Sequence, residues 1–129
     1  MIVAVPTNPA DKLYEDIRQD ETDVSTIARW IGWKPSNIAK IKHHLFIEEH
    51  RLDQYEGLGV PAVMAQFDSD EAIAEAWLRL KIGDFSPLDL QLIRHEVAEA
   101  WYMRRHGQSY RKAHAAAQRR FPAPMALWS

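Results

Sequence analysis

Cysteine is absent from this 129-residue chain. That excludes a disulfide framework, a cysteine-ligated zinc site, an iron–sulfur cluster and a thiol nucleophile. Glycine is scarce, and its five positions, Gly32, Gly57, Gly59, Gly83 and Gly107, read as chain punctuation. No apolar run approaches the ~20 residues that a membrane-spanning helix needs, which predicts a soluble protein with no membrane partner. Met1–Val5 is apolar but too short, and lacks the basic flank, for a secretory signal. Strand-type alternation, internal repeats and low-complexity segments are also missing.

The length suits one domain, since domains commonly run ~100–150 residues. Tryptophan and histidine are over-supplied, at five and six residues. Net charge is −2, but it is unevenly spread. Asp11, Glu15, Asp16, Asp20, Glu21 and Asp23 crowd the first thirty residues. From Ala100 onward there are six bases (Arg104, Arg105, Arg111, Lys112, Arg119, Arg120) and no acid. Such asymmetry fits either a C-terminal surface that meets an anion or two ends that pair with each other across the fold.

Residues 1–10 carry two prolines and no periodicity, and are expected to form a leader or linker stub. Residues 11–129 are expected to form a single compact all-α domain of about six helices. Leu13, Tyr14 and Ile17 give the first its buried face. Asp23 is expected to cap Val24–Ile31, which Gly32 stops. Pro35 opens a third helix running to about His50, with Ile38, Ile41 and Leu45 inward. Residues 53–66 are expected to be a loop. Asp68 and Glu71 read as a capping box for Ser69–Ile82, with Ile73, Trp77 and Leu80 inward. Ser86-Pro87-Leu88-Asp89 opens a helix that runs to His106 and stops at Gly107. Ser109 caps a last helix with Tyr110, Ala113, His114, Ala117 and Phe121 on one face, closed by Pro122. The core is expected to include Trp77, Leu80, Ile93, Val97, Trp101 and Phe121.

Ile27-Ala28-x-x-Ile31-Gly32-Trp33, followed by Ile38 and Ile41, has helix-turn-helix spacing near the N-terminus. As a DNA reader it would present Ser36, Asn37, Lys40 and His43 to the major groove, with Lys40 and Lys42 on phosphates. The same pattern is a common packing unit without DNA. Glu48 and Glu49 further along would repel phosphate.

The main chemical signal is His95-Glu96-Val97-Ala98-Glu99. His95 and Glu99 are four apart and share a helix face. Two ligands at that spacing can chelate one metal ion, with Glu96 as general base, as in the His-Glu-x-x-His zinc peptidases. Here a glutamate stands in the second histidine's place. The spacing equally suits a metal-free pair in which Glu99 orients His95 for acid–base work. The short Gly107 connection brings the last helix alongside, so His114 is expected to join His95 and Glu99 in a common cleft. Candidate catalytic residues are His95, Glu96, Glu99 and His114, and candidate metal ligands, for zinc or magnesium, are His95, Glu99 and His114. Lys42, His44 and His50, with Arg111 and Lys112, are candidates for holding substrate phosphate.

Lys42-His43-His44-Leu45-Phe46 with His50, Ala74-x-x-Trp77-x-Arg79-Leu80-x-x-Gly83, His95-Glu96-x-x-Glu99, and Gly107-x-x-Tyr110-x-x-Ala113-His114-x-x-Ala117 together make a longer pattern. It resembles a helical C-terminal toxin domain of bacterial polymorphic toxins, carried by Rhs, contact-dependent-inhibition and phage-head-type proteins. The resemblance spans roughly residues 26–121. It implies a secreted or delivered antibacterial effector that acts in the cytoplasm of a target bacterium, with a cognate immunity protein as partner. A hydrolase with a His/Glu centre is the expected activity, a nuclease ahead of a zinc peptidase. A non-enzymatic helix-turn-helix DNA-binding module is the remaining alternative.

Overall fold

The computed structural model describes residues 8–53, 58–59, 61–107 and 109–120. Within them lie six α-helices, as the sequence implies: α1 (Asp11–Gln19), α2 (Asp23–Ile31), α3 (Pro35–Lys42), α4 (Glu71–Ile82), α5 (Pro87–His106) and α6 (Tyr110–Arg120). The all-α expectation holds apart from one small hairpin, β1 (His50–Leu52) paired antiparallel with β2 (Val63–Ala65). The expected loop therefore contains β2, and the expected third helix stops early. After Lys42 the chain widens into a π-helical turn, His43–Ile47. That turn buries His44, Leu45 and Phe46 in succession, which a straight α-helix cannot do with one inward stripe.

Helix boundaries follow local chemistry. Gly32 and Gly83 end α2 and α4 in the left-handed conformation, at φ 73° and 78°. Asp70, rather than Asp68, caps α4, its side chain accepting from the Ile73 N–H at 3.2 Å. Thr22 occupies the cap position of α2, which frees Asp23 for the interior. The buried Asp23 carboxylate accepts from Lys42 Nζ at 2.9 Å and Trp77 Nε1 at 3.0 Å, tying α2, α3 and α4 together. Asp89, in the first turn of α5, accepts a fork from Arg79 at 3.0 and 2.8 Å and also the Ser86 N–H. Of the expected leader, Asn8 bonds the Ser69 carbonyl and Ala10 is fully buried, so these residues belong to the folded body. Residues 1–7 of it lie outside the described residues.

The core gathers around Tyr14, Phe46 and Trp77, whose rings meet edge to face at 4.8 and 5.3 Å. Ile27, Ile38, Ile41, Leu80 and Ile93 close it. Trp77, Leu80 and Ile93 are core as expected, and Val97 is partly buried against it. Trp101 is not, being 49% exposed. The buried residues of α5 are Asp89, Leu92, Ile93, His95, Glu96, Glu99 and Met103, so a polar stripe shares the interior with Ile93 and Leu92 while Trp101 turns outward. Phe121 and Pro122 lie outside the described residues.

Among the described residues, the acid-rich N-terminal part does not pair with the basic C-terminal part. Asp16 pairs with Lys12, Asp23 with Lys42, Asp20 with Lys81 and Glu15 with Arg18. Arg104, Arg105, Arg111, Lys112 and Arg119 take part in none of the ion pairs among the described residues.

Candidate active site

The inward stripe of α5 brings His95, Glu96 and Glu99 beneath two other elements. The π turn supplies His44, and α6 folds back along α5 to supply His114. Glu99, 2% exposed, accepts from His44 Nε2 at 3.0 Å through one carboxylate oxygen and from His114 Nδ1 at 3.1 Å through the other. His95 Nε2 lies 3.4 Å from that second oxygen, and the His95 and His114 ring centroids are 5.0 Å apart. The expected convergence of His95, Glu99 and His114 is therefore present. The sequence reading missed the centrality of His44, which it had set aside for phosphate. A histidine 55 residues distant carries no periodic signal linking it to Glu99.

The two glutamates sit in opposite electrostatic states. Burial alone would raise the Glu99 carboxyl, but hydrogen bonds from His114, His44 and His95 outweigh it and hold Glu99 well below the ordinary range. Burial raises Glu96 well above it, and the neighbouring Glu99 and Asp70 charges add to the effect. Glu96 Oε2 lies 3.7 Å from His44 Nε2, so this raised carboxyl is part of the same cluster. The bond to Glu99 raises His114, against a smaller opposing effect of burial. Its side chain is 42% exposed, and with Nδ1 engaged by Glu99, Nε2 is the ring atom left to exchange protons with a ligand.

His50, on β1, lies beside this cluster, 4.6 Å from the His44 ring and stacked on Phe67 at 4.2 Å. Its Nε2–H donates to the His44 carbonyl at 2.7 Å, which leaves Nδ1 as a bare lone pair, buried and without a partner. Burial lowers its pKa. Asp53, just beyond β1, holds α6 in register: it accepts from Ser109 Oγ at 2.6 Å and the Arg111 N–H at 2.9 Å. These bonds outweigh burial and keep Asp53 below its ordinary pKa. Ser109 caps α6 as expected, through the Lys112 N–H, but the buried carboxylate beneath it was not legible in the sequence.

The remaining phosphate candidates divide. Lys42 is turned inward, its ammonium committed to Asp23 and to the Asp20 carbonyl, so it is withdrawn from any phosphate. Arg111 and Lys112 are solvent-facing on the first turn of α6 and wall neither cavity on the α3 side of α5. The bases that do wall those cavities are Lys40 and Arg104.

Among the described residues, three overlapping sets of side chains bring their ligand-type atoms within 4.8 Å of one another: His95, Glu99 and His114; His44, Glu96 and Glu99; and His44, Glu48 and His50. Imidazole with carboxylate suits zinc and its neighbours better than magnesium, which favours oxygen ligands and water. A metal would replace the protons now shared with Glu99, because a ligating nitrogen must present its lone pair. Comparison with protein-family models, with curated proteins and with solved structures finds no match to this chain.

Proposed function

We propose that this domain is an antibacterial effector whose His/Glu centre cleaves phosphodiester bonds. The observation that carries the reading is the single buried carboxylate of Glu99 meeting imidazoles from the π turn, α5 and α6. Gathering three histidines on one buried acid is costly unless their protonation is put to use. Glu99 fixes the His114 ring and favours its charged form, so His114 can hand a proton to a leaving oxygen and recover it. The nuclease assignment is supported by the unpaired bases of the α5 end and α6, which offer an anionic polymer a landing surface. The toxin assignment rests on the sequence resemblance, and with it come delivery into a target bacterium's cytoplasm and a cognate immunity protein.

The test is expression in a bacterium, with and without export, beside incubation of the purified domain with labelled nucleic acid. Killing and strand cleavage that both vanish in His114→Gln, with melting unchanged, support the reading. A domain that neither kills nor cuts overturns it.

A second reading, a zinc peptidase, has the approach of His95, Glu99 and His114 in its favour. Zinc retained after purification, with protein substrates cut and nucleic acid left whole, would put it ahead. The helix-turn-helix pair speaks less for duplex binding. Ser36, Asn37, Lys40 and His43 are exposed, but Asn37 and Lys40 form the wall of a concave groove instead of a convex reading face.

A further inference from the structure

His44, Glu48 and His50 form a cluster beside the one built on Glu99, one donor atom of each lying within 4.8 Å of the other two. Glu48 follows the π turn, and its N–H closes that turn on the His43 carbonyl at 2.7 Å. Widened turns of this kind recur at functional sites. β1 then returns His50 to His44, with the two rings 4.6 Å apart at 66°. Both imidazoles are held from behind. Glu99 takes the His44 Nε2–H, and the His44 carbonyl takes the His50 Nε2–H. Each bond fixes the tautomer that keeps its lone pair on Nδ1. At His50 that lone pair is buried and without a partner. Around Glu99, by contrast, the donors are already spent, its two oxygens accepting from His44 Nε2 and His114 Nδ1.

We infer that His44, Glu48 and His50 hold a zinc ion. The inference goes beyond the phosphodiester reading and stands whether or not the chain cuts nucleic acid. Two imidazoles and one carboxylate are a zinc donor set, and nitrogen-bearing sites hold zinc more tightly than iron or manganese. The ligating atoms are the two Nδ1 nitrogens and a Glu48 carboxylate oxygen. Neither histidine has to lose a proton, because both tautomers already present a lone pair. The carboxylate behind His44 and the carbonyl behind His50 are the usual outer partners of metal-bound imidazoles. Glu48 and Glu99 together balance the double charge of the ion. Zinc holds its donors at about 2.0–2.2 Å, so the three must draw in to roughly 3.3 Å from one another. Glu48, with 40% of its side chain exposed, is the arm that makes this move. The closed surroundings of His50 Nδ1 suit an ion that the protein itself encloses. All three side chains line a cavity of about 380 Å³ with Lys40 and Arg104. The cavity gives the ion its way in and leaves a fourth position for water or an anion.

The experiment titrates the full chain with Co²⁺, whose visible absorption reports its coordination, and then displaces it with Zn²⁺. We expect one ion per chain, the strong bands of four- or five-coordinate cobalt, and their loss when zinc is added. Glu48→Gln should weaken binding about tenfold or more, at least what a lost outer partner costs, with melting of the metal-free protein unchanged. Glu49→Gln removes the same charge one residue on and should bind as wild type. His50→Gln should weaken binding further still. His114→Gln leaves the donor set whole and should not change it. Absence of stoichiometric binding, the weak bands of six-coordinate cobalt alone, or affinity unaltered in Glu48→Gln overturns the proposal. So does affinity lost in His114→Gln, which would place the ion on Glu99 instead. The nuclease reading fails separately. A chain that binds cobalt through Glu48 yet neither kills nor cuts keeps the zinc site and loses the nuclease.

Discussion

The carboxylate of Glu99 and the imidazole of His44 meet at 3.0 Å although 55 residues separate them, and neither is exposed to solvent by more than 2%. The contact joins the π turn to the middle of α5, and His114 completes it from α6 on the other carboxylate oxygen.

The His114 pair predicts a pH signature. His114 has a raised pKa, so the stability it adds is full below the ordinary imidazole value of about 6.5 and is lost as pH rises through its native value. Glu99 is depressed, so its share is present above about 4.3 and is lost as pH falls through its native value. In NMR titration His114 should therefore protonate above about pH 6.5, and Glu99→Gln should return it toward that value. A His114 titration indifferent to Glu99→Gln would remove the pairing.

Glu96 behaves oppositely to Glu99. Its native carboxyl holds a proton that the unfolded chain releases above about pH 4.3, so wild-type stability falls as pH rises from there toward the native value. Glutamine mimics the protonated form and cannot ionise. Glu96→Gln should flatten that decline and leave the domain more resistant to urea at pH 7. Parallel pH profiles for the two proteins would show that Glu96 is ionised in the fold.

Two tryptophans separate core from groove. Trp77 is 1% exposed and donates to Asp23, so Trp77→Ala should cost about 3–5 kcal/mol in urea unfolding. Trp101 is half exposed, and Trp101→Ala should cost less than about 1 kcal/mol. Equal losses would place both rings in one core.

Gly32 and Gly83 share a positive φ but not their surroundings. An added Cβ meets nothing within 4 Å at Gly32, but at Gly83 it lies 2.7 Å from the Trp30 ring, which is tethered by Nε1 to the Lys81 carbonyl. Gly32→Ala should cost about 1–2 kcal/mol for the left-handed backbone alone. Gly83→Ala should cost more, and the excess should disappear when Trp30→Ala is added. Thermal melts of Gly32→Ala, Gly83→Ala, Trp30→Ala and the Trp30→Ala/Gly83→Ala double variant decide it.

Local signals along the chain suffice for the helices and most of their ends. Proline at first turns, glycine at last turns and apolar residues at helical spacing are local signals, and they placed α1, α2, α4, α5 and α6 within a residue or two. They also placed His95, Glu99 and His114 together, because one helical turn and one short connection fix that contact without reference to the rest of the chain. The rest depends on contacts made across the fold. The stripe of α5 that faces inward is set by which partners are available. The imidazoles of His44 and His114 satisfy Glu99 once it is buried, and that commitment turns Trp101 out into the groove. The π turn arises where His44, Leu45 and Phe46 must all be covered at once, a demand made by α1, α4 and α5 and invisible along the chain. Lys42 reads as a surface cation until the buried Asp23 carboxylate claims it. In each case a buried charge had to find its counterpart across the fold, and no spacing in the sequence records that pairing.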